Sequence, residues 1–147
     1  MRRGSAAGQG RTLGVCWQFR IPFEPVNDLV KTLRAAGCVF AEDEARLLRE
    51  AATSPDDLAR RSARRVAGEP LEQILGWAEF RGLRIPVEPG VFVPRQRTGL
   101  LVDLALTMCP APQVVVDLCC GTAALAAAVG TALGRAVDLH AADVDPR

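Results

Sequence analysis

The chain has 147 residues, a hydrophobic content of 49% and a net charge of +1, enough for one domain or two small ones around an ordinary apolar core. The even charge balance gives no electrostatic footprint of a nucleic-acid binder. No apolar run approaches the roughly 18 residues of a membrane span, and the N-terminus lacks the continuous apolar core of a secretory signal.

Residues 1–25 are polar, Gly-rich and aperiodic up to Gly14 and then carry Trp17 and Phe19 ahead of two prolines, Pro22 and Pro25; they read as a disordered, dispensable extension. Three short helices follow. Asn27 is placed to cap the first, with Leu29, Val30 and Leu33 on one face and Gly37 at its end. The second covers residues 41–52, with Ala45, Leu48 and Ala52 spaced for burial. The third opens on Ser54 as N-cap and Pro55 at the first helical position, has acids Asp56 and Asp57 in its first turn, and lines one face with Leu58, Ser62 and Val66. Arg60, Arg61, Arg64 and Arg65 form a basic stripe on it. That stripe is either a contact for an acidic partner or RNA, or a solvated helix face, and the second is preferred. A short helical turn at 71–75 precedes Gly76, residues 77–93 alternate and turn at Arg81-Gly82 and Pro89-Gly90 as a β-hairpin, and a linking helix spans 95–108 before Pro110-Ala111-Pro112.

The densest signal is residues 114–130, VVVDLCCGTAALAAAVG. A β-branched run ends in Asp117, a small-residue loop follows, and Leu125, Val129 and Leu133 then recur at helical spacing. This pattern predicts a buried strand, a tight loop and a helix, the first βα unit of a nucleotide-binding sheet. A second apolar run, 136–142, ends in Asp143, about 20 residues past the glycine of the loop, where such sheets place the acid that grips a ribose hydroxyl. Dinucleotide loops read G-x-G-x-x-G so that the backbone can close on a pyrophosphate; here only Gly121 is present. S-adenosylmethionine (SAM) has no phosphate, and Asp117 suits the ammonium of its methionine tail. The loop taken alone is equally compatible with a structural turn in another doubly wound protein.

Cys16, Cys38, Cys109, Cys119 and Cys120 are odd in number, no C-x-x-C occurs and His140 is the single histidine, so a zinc site is disfavoured and no metal is expected. The cysteines read as reduced thiols of a cytoplasmic protein.

The run GEPLEQILGWAEFRGLRIPVEPGVFVPRQRTGLLV, residues 68–102, closely resembles the region ahead of the SAM domain in the HemK/PrmC family of protein-glutamine N5-methyltransferases. The shared residues are Gly68, Glu69, Pro70, Ile74, Gly76, Glu79, Phe80, Gly82, Val87, Pro89, Gly90, Pro94, Arg95, Thr98, Leu101 and Val102, in the family's order and spacing. The likeness runs from about residue 26 to 146 and is greatest to a PrmC-related branch with DLCCG in the loop. The family pattern there is D-L-G-T-G-S-G; Cys119 and Ala123 stand at its outer glycines. Cys119 therefore implies an ordinary backbone angle or strain, and a tighter cofactor wall. The family's P-R-P-E-T-E reads PRQRTG, so Arg97 reverses a charge and Gly99 removes a carboxylate. The family's amide-holding N-P-P-Y does not occur in the 147 residues, so no catalytic residue is assigned.

The resemblance implies an α/β architecture. A small helical domain (26–76) follows the 1–25 extension, a β-hairpin connector (77–94) comes next, and 95–147 hold a linking helix and the first βαβ unit of a truncated Rossmann-like SAM-dependent methyltransferase domain. It also implies SAM as cofactor, held by Asp117, Cys119, Cys120, Gly121, Thr122, Ala123 and Asp143. The expected substrate is a glutamine side chain in a peptide chain release factor or ribosomal protein. A cytoplasmic monomer is expected, with no direct DNA or membrane partner. The chain by itself is expected to be catalytically incomplete and unstable in its C-terminal part. The other readings are a non-catalytic module that docks a translation factor and a fragment of a dinucleotide-dependent oxidoreductase.

Overall fold

The computed structural model describes residues 26–134 and 136–145; the expectations for residues 1–25, and for Cys16, lie outside them. Four helices come first: α1 (Val26–Ala35), α2 (Ala41–Ala51), α3 (Pro55–Val66) and α4 (Leu71–Leu75). α1 begins at Val26, one residue before Asn27. Leu33, Ala41, Ala45 and Leu48 are fully enclosed, joined by Cys38 and Ile74, with Leu29, Val30, Leu58 and Leu71 packed around them. Burial pushes the Cys38 thiol above its ordinary pKa, with the Glu44 carboxylate beside it adding to the shift.

The start of α3 follows its sequence signals. Ser54 is the N-cap, its hydroxyl accepting from the Asp57 amide at 3.1 Å, and Pro55 opens the helix. The inward face of α3 differs from expectation. Val66 is exposed and Asp57 is buried. The Asp57 carboxylate accepts from the Thr53 amide at 3.1 Å, from Arg60 at 2.6 Å and from Arg61 Nε at 2.9 Å. Arg61 reaches on to the carbonyl of Ile74 at 2.9 Å, tying α3 to α4. Arg65 pairs with Glu44 of α2 at 2.6 Å and Arg64 pairs with Glu69. The solvated-face reading of the arginine stripe thus fails for Arg61 and Arg65, which turn inward between helices because the buried Asp57 and the half-buried Glu44 neutralise them there. All four guanidinium groups have carboxylate partners, so the stripe is not a free basic surface.

This network gives the helical part a defined acid response. The Thr53 amide and the Arg61 guanidinium hold the Asp57 carboxyl below the usual carboxylate range. A depressed folded pKa contributes stability above the unfolded value of about 3.9, and that contribution is lost as pH falls below it towards the folded value. Asp57→Asn is expected to lower the thermal midpoint by several degrees at neutral pH. The difference from the parent should shrink below about pH 4, where Asp57 takes up its proton. Melts followed by circular dichroism across this range check it; an equal difference at both ends would contradict the assignment.

A hairpin, β1 (Trp77–Phe80) and β2 (Leu83–Pro86), pairs antiparallel with Phe80 opposite Leu83. Its two-residue turn has positive φ at both Arg81 (51°) and Gly82 (78°), as a type I′ turn requires. Arg81 is not a glycine, and its side chain anchors the turn. The guanidinium donates to the Gly99 carbonyl at 3.1 Å and to both Asp103 oxygens at 3.1 and 2.6 Å. A Cβ on Gly99 would sit 3.3 Å from Arg81, so glycine at 99 gives that side chain its room. The strands end at Pro86, short of the expected 93, and the expected 95–108 helix is a 3-10 turn (Gln96–Thr98) followed by α5 (Gly99–Met108).

A parallel βαβ unit closes the described chain: β3 (Val114–Leu118), α6 (Ala124–Leu133) and β4 (Asp138–Ala142), paired from Val114 opposite Asp138 to Leu118 opposite Ala142. β4 is two residues shorter at its start than the apolar run suggests. Phe80, Ile85, Val102, Ala124, Ala128 and Val129 form a second core joining hairpin, α5 and α6. At Gly130 the helix meets β4 closely, since a Cβ there would lie 2.6 Å from the end of Leu139. The expected fully buried strand is corrected on one face. Val115 packs towards α6, whereas Val114, Val116 and Leu118 are exposed, because α6 covers only one side of the pair among the described residues.

Candidate functional site

A cavity of about 400 Å³ opens where β3 and β4 end, a size within the roughly 300–1,000 Å³ of small-molecule sites. One wall is the turn after β3, with Cys119, Cys120, Gly121 and Thr122 followed by Ala124 and Leu125 of α6. Asp143 and Asp145 lie beyond the tip of β4. The opposite wall is the segment from Gly90 to Thr98, contributing Val91, Phe92, Pro94 and Arg95. Placement at the carboxyl ends of parallel strands is where open α/β sheets bind ligands.

The turn has an unusual backbone. Cys119, Gly121 and Ala123 have φ of 57°, 51° and 55°. Of the two readings open for Cys119, strain is the one observed: it adopts a left-handed conformation despite its side chain, and so does Ala123. The Cys120 amide donates to the Ala142 carbonyl at 3.2 Å and the Ala123 amide to the Cys120 carbonyl at 2.8 Å. Asp143 accepts from the Gly121 amide at 2.8 Å through one oxygen and from the Asp145 amide at 3.0 Å through the other. The Asp145 and Gly121 amides hold its carboxyl below the ordinary range, so it is an anionic acceptor at neutral pH.

The structure brings Cys119, Cys120, Gly121, Thr122 and Asp143 together around the cavity. Ala123 shapes the turn but is not among the lining residues, nor is Asp117. Asp117 accepts from the Ala126 amide at 3.2 Å, so in this structure its carboxylate serves the amino end of α6. The four described cysteines, Cys38, Cys109, Cys119 and Cys120, are free thiols.

The Gly90–Thr98 wall is the part of the site not assigned from the sequence. Its signal was present in PRQRT, which matched in order but reads locally as the start of a helix. Three bonds hold it in place. Gln73 of α4 donates to the Val91 carbonyl at 2.9 Å, Gln96 donates to the Glu79 carbonyl at 2.6 Å, and Arg81 fixes Gly99. Arg95 lies 5.4 Å from the centre of the exposed Phe92 ring, a cation–π contact that sets a charge and an aromatic face at one edge.

The lining chemistry can be tested against two ligand classes. A pyrophosphate requires free loop amides and close backbone approach. Here the Gly121 amide is taken by Asp143, and Cβ atoms occupy both outer positions of the turn. A carboxylate acceptor beside an apolar turn fits a nucleoside with free ribose hydroxyls and no phosphate.

No family model matches the chain. Curated proteins do. A release factor glutamine methyltransferase of Corynebacterium glutamicum is 36% identical over 140 residues, covering 84% of this chain and 50% of that protein. The chain belongs to the HemK/PrmC family. Family proteins of the same name from Streptomyces coelicolor and Burkholderia pseudomallei are 44% and 40% identical over 86 and 88 residues, covering 56% and 54% of this chain and 30% and 31% of theirs. The chain therefore spans at most half the length of these family members. No helix among the described residues is long and apolar enough to cross a membrane.

Proposed function

We propose that this chain is the cofactor-binding part of a SAM-dependent methyltransferase that transfers a methyl group to a glutamine side-chain nitrogen in a peptide chain release factor. The observation that carries the reading is Asp143, an ionised acceptor just past the end of β4, bonded to a glycine-poor turn with which it lines one side of a cavity of about 400 Å³. The family relationship supplies the reaction. In this reading 95–147 is the beginning of a Rossmann-like SAM domain, 77–94 connects it to the helical domain 26–76, and the release factor is met in the cytoplasm.

SAM supplies an electrophilic sulfonium methyl. Asp143 would hold the ribose hydroxyls by charge-assisted hydrogen bonds. Cys119, Cys120, Gly121 and Thr122 would wall the cofactor, with Asp117 acting through the amino end of α6. A neutral amide is a weak nucleophile, so the work left to the protein is positioning its nitrogen and excluding water. Phe92 and Arg95, on the wall opposite the turn, are placed to border that approach.

Titration calorimetry tests the cofactor reading. Saturable binding of SAM, with NAD⁺ giving no heat, is expected. Binding of NAD⁺ in preference to SAM would sink it and favour an oxidoreductase.

A further inference from the structure

The turn between β3 and α6 is an uphill conformation. Cys119 and Ala123 have left-handed backbones in which a Cβ crowds the following carbonyl, a penalty glycine escapes. Ala123 is also the N-cap of α6, and its side chain gives the helix no capping bond. The turn therefore needs restraint from outside itself. Two bonds reach it from the end of β4: the Cys120 amide to the Ala142 carbonyl at 3.2 Å, and the Gly121 amide to the Asp143 carboxylate at 2.8 Å. The first is main chain to main chain and any sequence can form it. The second depends on one side chain.

We propose that Asp143 is a positioning residue as well as a cofactor ligand, its carboxylate latching the Cys119–Ala123 turn into its strained form. The ligand role rests on the function proposed above; the latch does not. The two roles are compatible, because an ionised carboxylate offers about four lone-pair sites, which the Gly121, Val144 and Asp145 amides do not exhaust. Cys119 and Ala123 make the closed turn conditional on the latch, since with glycine at both positions the same backbone would carry no steric penalty. Whatever draws the Asp143 carboxylate away from Gly121 then releases the cofactor wall.

The test is hydrogen exchange, followed by NMR without any cofactor, at the Cys120 and Ala123 amides, neither of which bonds to Asp143. Asp143→Ala should speed exchange at both by about tenfold or more through local opening. Adding Cys119→Gly and Ala123→Gly to that variant should return both rates to within about threefold of the parent, a coupling that independent sites would not show. Asp143→Asn keeps one acceptor oxygen and should lose less protection than Asp143→Ala, which also serves if the alanine variant folds poorly. Unchanged exchange in Asp143→Ala, or an equal increase with and without the glycines, would overturn the latch. Because no cofactor is present, failure of SAM to bind would not affect this result, and loss of the latch would leave the cofactor reading standing.

Discussion

Phe80→Ala is expected to lower the unfolding free energy by about 3–5 kcal/mol, the range for emptying a buried aromatic site. Phe80 is fully enclosed, and it belongs to the cluster through which the hairpin, α5 and α6 meet. Relaxation into the void is limited because three separate elements border it, each held by its own contacts. Arg81 pins the hairpin tip to the start of α5, and Gly130 brings α6 close against Leu139 of β4. The cavity wall would feel the change too, since Ala124 lies in this cluster and also lines the site. Urea unfolding at neutral pH measures the loss. A change below about 1 kcal/mol would mean that the second core tolerates a void of this size and that Phe80 does not organise it.

The second large effect is on ligand affinity. Asp143→Ala is expected to weaken SAM binding by at least about tenfold, because both ribose hydroxyls would lose a charge-assisted acceptor. The latch adds to this, as the wall built by residues 119–122 would have to be ordered by the cofactor itself. Calorimetric titration of the parent and the variant checks it, and equal affinities would remove Asp143 from the binding site. The smaller effect expected of Asp143→Asn on exchange should not carry over fully to affinity. An amide keeps an acceptor but not the negative charge that strengthens the bonds to the hydroxyls.

Some of this could be read along the chain because the determinants are local. The Ser54–Pro55 start of α3 needs only a hydroxyl two to three residues from an unpaired amide and a residue whose φ is already helical. The reversal at Arg81-Gly82 needs two residues at positive φ, and the strand–loop–helix sequence of β3 and α6 follows from a change in apolar period. The position of Asp143 was legible for the same reason: its spacing from the loop is set by one helix and one strand.

Other features depended on what meets through space. Apolar periodicity puts Val66 inside and leaves Asp57 outside, yet Asp57 is buried because Thr53, Arg60 and Arg61 converge on it, and Arg61 in turn satisfies a carbonyl of α4. No local rule predicts left-handed Cys119 and Ala123, since each residue alone prefers another conformation and the turn is tied from outside by bonds to Ala142 and Asp143. The Gly90–Thr98 wall has no period of its own and is placed by Gln73, Glu79 and Arg81 from elements earlier in the chain. The sequence by itself thus determined the elements, their order and the acid at the end of β4, which are governed by neighbours a few residues apart. Only the tertiary structure decided which polar groups are buried, how the turn is strained and which segment faces it, because those depend on partners brought together by folding.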